Sequence, residues 1–358
     1  MNFSNDFSYL FSEITYGTWH AIGDYDNDNI TDIAVAYLSH AIIQFFVGYN
    51  HGRFQRSYFY RTTSPIDFFT TIDLNKDGYE DIVYISDPHN CLVVVLSYGN
   101  ETFTPPFTTG LGSTPNSFVI NDFNHDNHLD VFVVNRDNDI GSILLGHGNG
   151  TFDFRKSFYT FFGPHYVVSG DFDNDDHIDV AITEIFSYSI TIYFGCGNTT
   201  FPRSFSYKTK IQPWRINTGD FNNDECLDLV VTNRFNHSIS ILFNNGYGEF
   251  HEQIIYPTNG FTPFAVSIED MNGDHVLDII VTNFNSTFLS LFLGNVNGSF
   301  QNPMQIPTRY SSFSSLILAD INNDHRIDIT AIAYEKFSLN IITNICFNKT
   351  SVVNETDV

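Results

Sequence analysis

Aspartate side chains recur through this sequence in a nine-residue pattern that is suited to binding a cation. The string appears as DYDNDNITD, DLNKDGYED, DFNHDNHLD, DFDNDDHID, DFNNDECLD, DMNGDHVLD and DINNDHRID. Positions 1, 3, 5 and 9 of every string carry Asp or Asn, so side-chain oxygens alternate along a tight turn and return four residues later. In known calcium loops, positions 1, 3 and 5 supply ligands in the same way.

We predict that each of the seven strings holds one Ca²⁺ ion. The predicted ligands are Asp24, Asp26, Asp28 and Asp32; Asp73, Asn75, Asp77 and Asp81; Asp122, Asn124, Asp126 and Asp130; Asp171, Asp173, Asp175 and Asp179; Asp220, Asn222, Asp224 and Asp228; Asp270, Asn272, Asp274 and Asp278; and Asp320, Asn322, Asp324 and Asp328. Hard oxygen ligands favour calcium or magnesium over zinc or copper, and a flexible protein cage suits Ca²⁺ better than Mg²⁺. Asx turns without a metal are the alternative, but turn capping does not require clustered carboxylates that repel one another.

The charge of the chain agrees with this interpretation. Asp and Glu number 41 against 16 Lys and Arg, which gives a formal net charge of -25. Of the 31 Asp residues, 23 stand at the predicted ligand positions, so most of the negative charge is ligand charge. Such a chain repels phosphate backbones and anionic lipids, and we expect no nucleic-acid partner. No apolar run approaches the ~18 residues of a membrane span, and the first residues do not have the pattern of a signal peptide.

The strings also define a repeat. They start at Asp24, Asp73, Asp122, Asp171, Asp220, Asp270 and Asp320, which gives a period of 49 or 50 residues. A second landmark keeps the same phase, because a Phe follows a Gly/Asn-rich hairpin 30 residues after each of the first six starts, at Phe54, Phe103, Phe152, Phe201, Phe250 and Phe300. In the third repeat, four strand-like segments are SFVIND, LDVFVVN, SILLG and SFYTFF. Four antiparallel strands per period predict an all-β, seven-bladed β-propeller.

The ends of the chain predict how the ring closes. Thr350 stands where the seventh landmark Phe is expected, and little strand-like sequence follows it. We therefore expect an N-terminal segment, FSEITYG at residues 11–17, to complete the last blade, since an open ring would leave unpaired strand edges. Residues 1–350 then form a single propeller domain, and residues 351–358 form a C-terminal tail.

The Asp loops and the hairpins of the LGNxxGxF type resemble FG-GAP or VCBS-type repeats, which also form the N-terminal propeller of integrin α subunits. The resemblance covers residues 8–350. It implies calcium on one face of a seven-bladed ring, and adhesion or ligand recognition outside the cell. The family favours Gly at loop position 6, which only Gly78 provides here. Glu225, His275 and His325 tolerate a left-handed turn poorly, so we expect the loops of Asp220, Asp270 and Asp320 to be the weakest.

A ligand is expected on the face opposite the metal loops. The segments before the innermost strands carry a predicted binding rim of Trp19, His165, Tyr166, Trp214, Arg215 and Phe264. The loops after the second strands add Tyr37, Glu184, Asn135 with Arg136, and Asn233 with Arg234. Such a rim suits a peptide or a sugar; the alternative is that the rings only cap the central channel.

These features together predict an extracellular or cell-surface calcium-binding propeller that serves as an adhesion or ligand-binding module. The sequence contains no HExxH pair, GxSxG elbow or Gly-Lys phosphate loop, and we expect no enzymatic activity. A carbohydrate-binding lectin, or the propeller of a polysaccharide-acting enzyme, is the alternative. Ten N-x-S/T sequons are consistent with an exported glycoprotein, although the hairpin consensus alone can generate those at Asn100, Asn149, Asn198 and Asn297.

Overall fold

The computed structural model of the protein consists of seven four-stranded antiparallel sheets, the blades of a propeller. The structure describes residues 1–10, 17–37, 40–49, 52–86, 89–112, 114–334 and 338–345. Within these ranges the chain forms 28 strands. The first six repeats each form one blade in chain order, and the seventh blade combines strands from the two ends of the chain.

Blades one to four follow one another along the sequence. Blade one contains β2 (Gly17–Gly23), β3 (Asp32–Tyr37), β4 (Ile42–Tyr49) and β5 (Arg53–Arg61). Blade two contains β6 (Phe68–Ile72), β7 (Asp81–Ser86), β8 (Cys91–Val95) and β9 (Phe107–Gly110). Blade three contains β10 (Pro115–Asn121), β11 (Asp130–Asn135), β12 (Ile140–Gly146) and β13 (Phe152–Tyr159). Blade four contains β14 (Pro164–Gly170), β15 (Asp179–Glu184), β16 (Ser189–Phe194) and β17 (Arg203–Lys208).

The last three blades keep the same arrangement. Blade five contains β18 (Pro213–Gly219), β19 (Asp228–Asn233), β20 (Ser238–Leu242) and β21 (Ile254–Pro257). Blade six contains β22 (Pro263–Glu269), β23 (Asp278–Asn283), β24 (Phe288–Phe292) and β25 (Met304–Pro307). Blade seven contains β26 (Phe313–Ala319), β27 (Asp328–Ala333), β28 (Ser338–Ile345) and β1 (Asn2–Leu10).

The position of a strand within its blade follows from its residue types. Second strands such as β11 are buried at every residue, because neighbouring blades cover both of their faces. A short continuous run of β-branched residues, such as DVFVVN, is the sequence pattern of a strand buried in this way. Fourth strands are polar and largely exposed, as in β17. First strands of neighbouring blades contact one another, for example β10 with β14 and β2 with β26, and the first strands therefore surround the axis of the ring.

The hydrophobic core is divided into seven clusters, one at each junction between neighbouring blades. One of them joins Ile33 and Phe46 of the first blade to Ile332 and Leu339 of the seventh, so the ring has no open side. Each landmark Phe packs at the junction between its own blade and the preceding one. These residues are Phe54, Phe103, Phe152, Phe201, Phe250 and Phe300.

The N-terminal strand that completes the seventh blade starts earlier than the sequence predicted. β1 pairs with β28 from Asn2, opposite Ile345, to Leu10, opposite Ser338. Of the predicted segment, residues 11–16 lie outside the described residues, and Gly17 begins β2. Thr350 and the predicted tail also lie outside them. At the junction of blades six and seven, Met1 and Phe3 pack against the core, where the other blades have a landmark Phe.

The fourth strand of the third blade also differs from the expectation. It runs over Phe152–Tyr159, whereas the sequence placed it at SFYTFF, residues 157–162. The hairpin brings Phe152 opposite Gly146, so pairing begins at the landmark itself. The strand ends before Phe161 and Phe162, which are exposed. The aromatic residues of this segment suggested a later strand because aromatic residues favour strands wherever they occur.

Candidate metal loops and axial mouth

Each Asp string forms the loop that joins the first strand of a blade to the second; we call these seven segments the metal loops. Position 9 is the first residue of the second strand, as Asp130 is of β11. Because first and second strands are antiparallel, all seven metal loops lie at the same face of the ring. The four predicted ligands of each blade are thus brought into one loop, and the seven loops remain separate sites.

Backbone N–H groups hold the side chains of positions 1, 3 and 5. In the third loop, the two carboxylate oxygens of Asp122 accept hydrogen bonds from the N–H groups of Asp126 (3.2 Å) and Asn127 (2.8 Å). Asn124 Oδ1 accepts a second bond from Asp126 N–H, and Asp126 Oδ1 accepts one from His128 N–H (2.8 Å). The position-1 carboxylate accepts bonds from positions 5 and 6 in all seven loops. Asp122 Oδ1 also accepts a bond from Asn124 N–H (3.3 Å), whereas Asp122 Oδ2, Asn124 Oδ1 and Asp126 Oδ1 each keep a lone pair that is available to a cation.

This hydrogen bonding requires two left-handed residues in every loop. Position 6 has a φ between 62° and 90° in all seven, at Asn29, Gly78, Asn127, Asp176, Glu225, His275 and His325. Position 4 is left-handed as well, for example at Lys76 with a φ of 61°. Gly, Asn and Asp adopt this conformation most readily. Glu225, His275 and His325 therefore carry local strain in the loops that we expect to be the weakest, and that ranking stays a prediction.

The position-9 Asp is fully buried and joins the metal loop to the third strand. In the third blade, Asp130 Oδ2 accepts a hydrogen bond from the N–H of Phe123 (3.0 Å) and Oδ1 accepts one from Gly146 (2.9 Å). The same pair of bonds recurs in all seven blades. Burial raises the pKa of Asp130 to about 6 and those of Asp179 and Asp228 to about 7.

Two of the loops concentrate charge most strongly because position 3 is also an Asp. Carboxylate oxygens of Asp24, Asp26 and Asp28 in the first loop lie within 4.8 Å of one another, and the fourth loop has an equivalent trio. Burial, and then the charges of Asp28 and Asp24, raise the pKa of Asp26. In the second loop, by contrast, the Asn75 amide donates to Asp77 (2.8 Å) and relieves this repulsion. The donor set of clustered oxygens fits a hard divalent cation such as Ca²⁺.

The residues of the predicted rim lie at the opposite face, around the axis. Two cavities of about 330 and 300 Å³ share Trp19, Trp214, Arg215 and Phe264 in their walls, and we call them together the axial mouth. His165 lines the larger one. Tyr166 lies deeper, in a channel cavity of about 190 Å³ that also reaches Trp19 and Arg215.

Of the residues that were expected to supplement the rim, only some line the mouth. Arg136 and Arg234 line it. Tyr37 instead belongs to the hydrophobic core between blades one and seven. Glu184 is fully buried, where its carboxylate accepts bonds from Phe161 N–H, Ser189 and Thr191.

Phe284 and Tyr334 also line the mouth and were not predicted. They occupy the repeat position of Arg136 and Arg234, fourteen residues after the first Asp of the repeat. Comparing that position across the repeats would have identified them.

Stacking of charged and aromatic side chains organises the mouth. The Arg215 guanidinium lies 4.2 Å from the ring centres of both Trp19 and Tyr166. The Arg234 guanidinium lies 4.3 Å from the ring centre of Trp214, and His165 is 3.9 Å from that ring centre. Burial, and then the charge of Arg215, lower the pKa of His165 to about 3. The imidazole is therefore neutral, and the guanidinium groups carry the positive charge of the mouth.

Solved structures share the fold at low sequence identity. BBS1N in complex with ARL6DN, in a crystal soaked with lead, has a TM-score of 0.68 and 11% identity over 95% of this chain and 96% of that chain. An Agrocybe aegerita lectin that recognises non-reducing terminal N-acetylglucosamine has a TM-score of 0.62 and 17% identity, over 83% and 82% of the two chains. A functionally unknown protein from Desulfotomaculum acetoxidans DSM 771 has a TM-score of 0.60 and 11% identity, over 86% and 94%.

Sequence comparison identifies the family. No curated protein matches the chain. In the part of the chain that the structure describes, no helix is both long and apolar enough to cross a membrane. The model of the FG-GAP-like repeat matches five overlapping segments, residues 73–133, 122–182, 171–231, 220–281 and 270–331. Since these matches extend over more than half of the chain and coincide with the blades, the protein belongs to the FG-GAP-like repeat family.

Proposed function

We propose that the protein is a calcium-stabilised propeller that acts outside the cell as an adhesion or ligand-binding module. The clustering of Asp24, Asp26 and Asp28 is the observation that carries the calcium assignment. Three carboxylates held within 4.8 Å of one another by backbone N–H groups repel strongly without a counterion. A divalent cation at this point removes the repulsion and uses the remaining oxygen lone pairs.

The energy available from these sites gives the ions a structural role. Extracellular calcium modules commonly have a Kd of about 10⁻⁴ to 10⁻³ M. A site at ten times its Kd stabilises the folded state by about 1.4 kcal/mol, so seven sites supply about 10 kcal/mol. This is comparable with the whole stability of a typical domain. Calcium in the metal loops would therefore decide whether the ring remains folded.

Thermal unfolding with and without a chelator tests the calcium assignment. We expect Ca²⁺ to raise the midpoint well above its value in chelator, and Mg²⁺ to raise it less. Asp175→Asn, at loop position 5, should reduce the effect of Ca²⁺. Asp176→Asn in the same loop is the matched control, because position 6 is not a predicted ligand and is already Asn29 and Asn127 in other loops. An unchanged midpoint on calcium removal would refute the proposal.

For the partner, we propose a protein or a glycan bound at the axial mouth. The protein in one similar structure is bound to ARL6DN, and another similar structure is a lectin. The lectin alternative is supported by the aromatic lining of the mouth, which includes Trp19, Trp214 and Phe264. Screening the calcium-loaded protein against a glycan array tests it. Glycan binding that survives substitution of Trp214 would exclude the mouth as the binding site, and turnover of a glycan would refute the proposed non-catalytic role.

The proposed extracellular location is tested through the sequons. In the hairpins these motifs fold as Asx turns; for example, Asn149 Oδ1 accepts bonds from the Thr151 N–H (3.1 Å) and hydroxyl (2.6 Å). The turn therefore gives Asn and Thr a structural reason to occur there, independent of any glycan. Secretion from a eukaryotic host followed by enzymatic deglycosylation should produce a mass decrease if glycans are attached. No change in mass would remove the sequons as support for export.

A further inference from the structure

Positive charge converges on the axial mouth of a strongly acidic chain. Arg215 lines both of its cavities, Arg136 lines the larger and Arg234 the smaller, and the charges of all three lower the pKa of His165. Arg136 pairs with Asp137 at 3.2 Å. Asp67 also lines the larger cavity. Among the described residues, neither Arg215 nor Arg234 forms an ion pair.

Arg215 is held between two aromatic rings in an orientation that leaves its Nε–H for a ligand. The side chain is only 7% exposed, and the rings of Trp19 and Tyr166 flank the guanidinium at 4.2 Å. Ring stacking uses the flat faces of a guanidinium, whereas hydrogen bonds leave in its plane. Within the described part of the chain, the buried Nε of Arg215 has no hydrogen-bond partner.

Arg234 repeats this arrangement nearer the surface. Its guanidinium stacks on Trp214 at 4.3 Å and lies 5.8 Å from the ring centre of Phe264. Its Nε is buried without a hydrogen-bond partner among the residues that the structure describes, and so is Nε1 of Trp214. Three N–H donors at one mouth are therefore unpaired. A buried charge or donor without a partner is costly, and an anionic acceptor offsets that cost.

The covered ring faces distinguish between possible ligands. A neutral sugar binds an aromatic side chain through an open ring face, and each tryptophan already has a guanidinium against one ring face. Among the described residues, the Nε–H groups of Arg215 and Arg234 are donors that remain able to make new hydrogen bonds. Arg presents a planar fork of donors that matches the two oxygens of a carboxylate.

We propose that the axial mouth binds a carboxylate side chain of an acidic peptide segment in a partner protein, with Arg234 and Arg215 donating to it. This inference rests on the proposed function, because it specifies the ligand of the same binding module. An acidic sugar carries the same carboxylate, and the experiment below separates the two sources.

Tryptophan fluorescence reports directly on this site, since Trp19 and Trp214 are the only tryptophans of the sequence. Calcium-loaded protein is titrated with acetylated tetraglutamate, with the matched tetraglutamine peptide and with a trigalacturonate. We expect saturable quenching by tetraglutamate and none by tetraglutamine. Arg234→Gln is the test variant because Arg234 is partly exposed and the ring should fold without it. Arg53→Gln is the control, since it removes the same charge from an exposed position at the start of β5.

Arg234→Gln should weaken binding of tetraglutamate about tenfold or more, the loss of one charge-assisted hydrogen bond, whereas Arg53→Gln should leave it unchanged. Equal binding of the two peptides, or equal affinity of Arg234→Gln and the parent, overturns the inference. Binding of trigalacturonate alone overturns the assignment to a peptide. If the melting midpoint depends on calcium but tetraglutamate does not bind, only this inference fails. If tetraglutamate binds but calcium does not alter the melting midpoint, the calcium proposal fails and this inference stands.

Discussion

Removal of a position-9 carboxylate should destabilise the protein even in the absence of calcium. Asp130 is fully buried and accepts the N–H groups of Phe123 (3.0 Å) and Gly146 (2.9 Å). Asp130→Ala leaves both groups without an acceptor in a site closed to water. Each such loss costs about 1–3 kcal/mol, so the variant should lose about 2–6 kcal/mol of unfolding free energy. That is a large share of the stability of a typical domain.

Urea unfolding in chelator, followed by far-ultraviolet circular dichroism, measures this loss. Asp126→Ala is the matched control, because Asp126 is exposed and its Oδ1 accepts one loop N–H, that of His128. We expect the control to lose about 0.5–1.5 kcal/mol in chelator. With calcium present both variants should be destabilised further, since each lacks a predicted ligand. If the two variants lose equal unfolding free energy in chelator, the buried hydrogen bonds of the position-9 Asp do not stabilise the blade, and the prediction is wrong.

Three further predictions concern pH, packing and the hairpins. Burial raises the pKa of Glu184 from 4.5 to about 7, so the protonated carboxyl favours the folded state. Its stabilising contribution is complete below about pH 4.5 and is lost as the pH rises through about 7. Glu184→Gln should therefore flatten this part of the curve of unfolding free energy against pH, measured in calcium buffer. Phe250→Ala should lower the free energy of unfolding in urea by about 3–5 kcal/mol, because Phe250 is 7% exposed between blades four and five. Tyr247→Ala is the control: Tyr247 is 77% exposed, and its loss should change that free energy by less than about 0.5 kcal/mol. Asn149→Ala removes the acceptor of two Thr151 hydrogen bonds and should lower the unfolding free energy by about 0.5–1.5 kcal/mol; an unchanged value would show that this turn does not need its Asx cap.

The repeat made much of the fold predictable. A period of 49 or 50 residues with two landmarks in one phase identified the seven blades. The pattern repeats because each blade packs against its neighbours in the same way and needs the same residue types at the same positions. The left-handed position 6 was also visible from the family pattern, and the structure confirms it even at Glu225 and His325. The start of β1 and the extent of β13 were predicted wrongly, because pairing with β28 and the hairpin register, rather than local residue preference, set these limits.

The sequence by itself determined which residues gather in each metal loop, because all four predicted ligands of a loop lie within nine consecutive residues. Only the tertiary structure decided how the axial mouth is built. Trp19 and Arg215 are separated by almost two hundred positions, and ring closure brings them to 4.2 Å between the guanidinium and the indole ring. Likewise, only closure shows that Phe3 packs at the junction of blades six and seven. The residues of a metal loop are neighbours in the sequence, so the sequence alone shows them together. Contacts across the axis join residues that are far apart in the sequence, and they depend on how many blades close the ring.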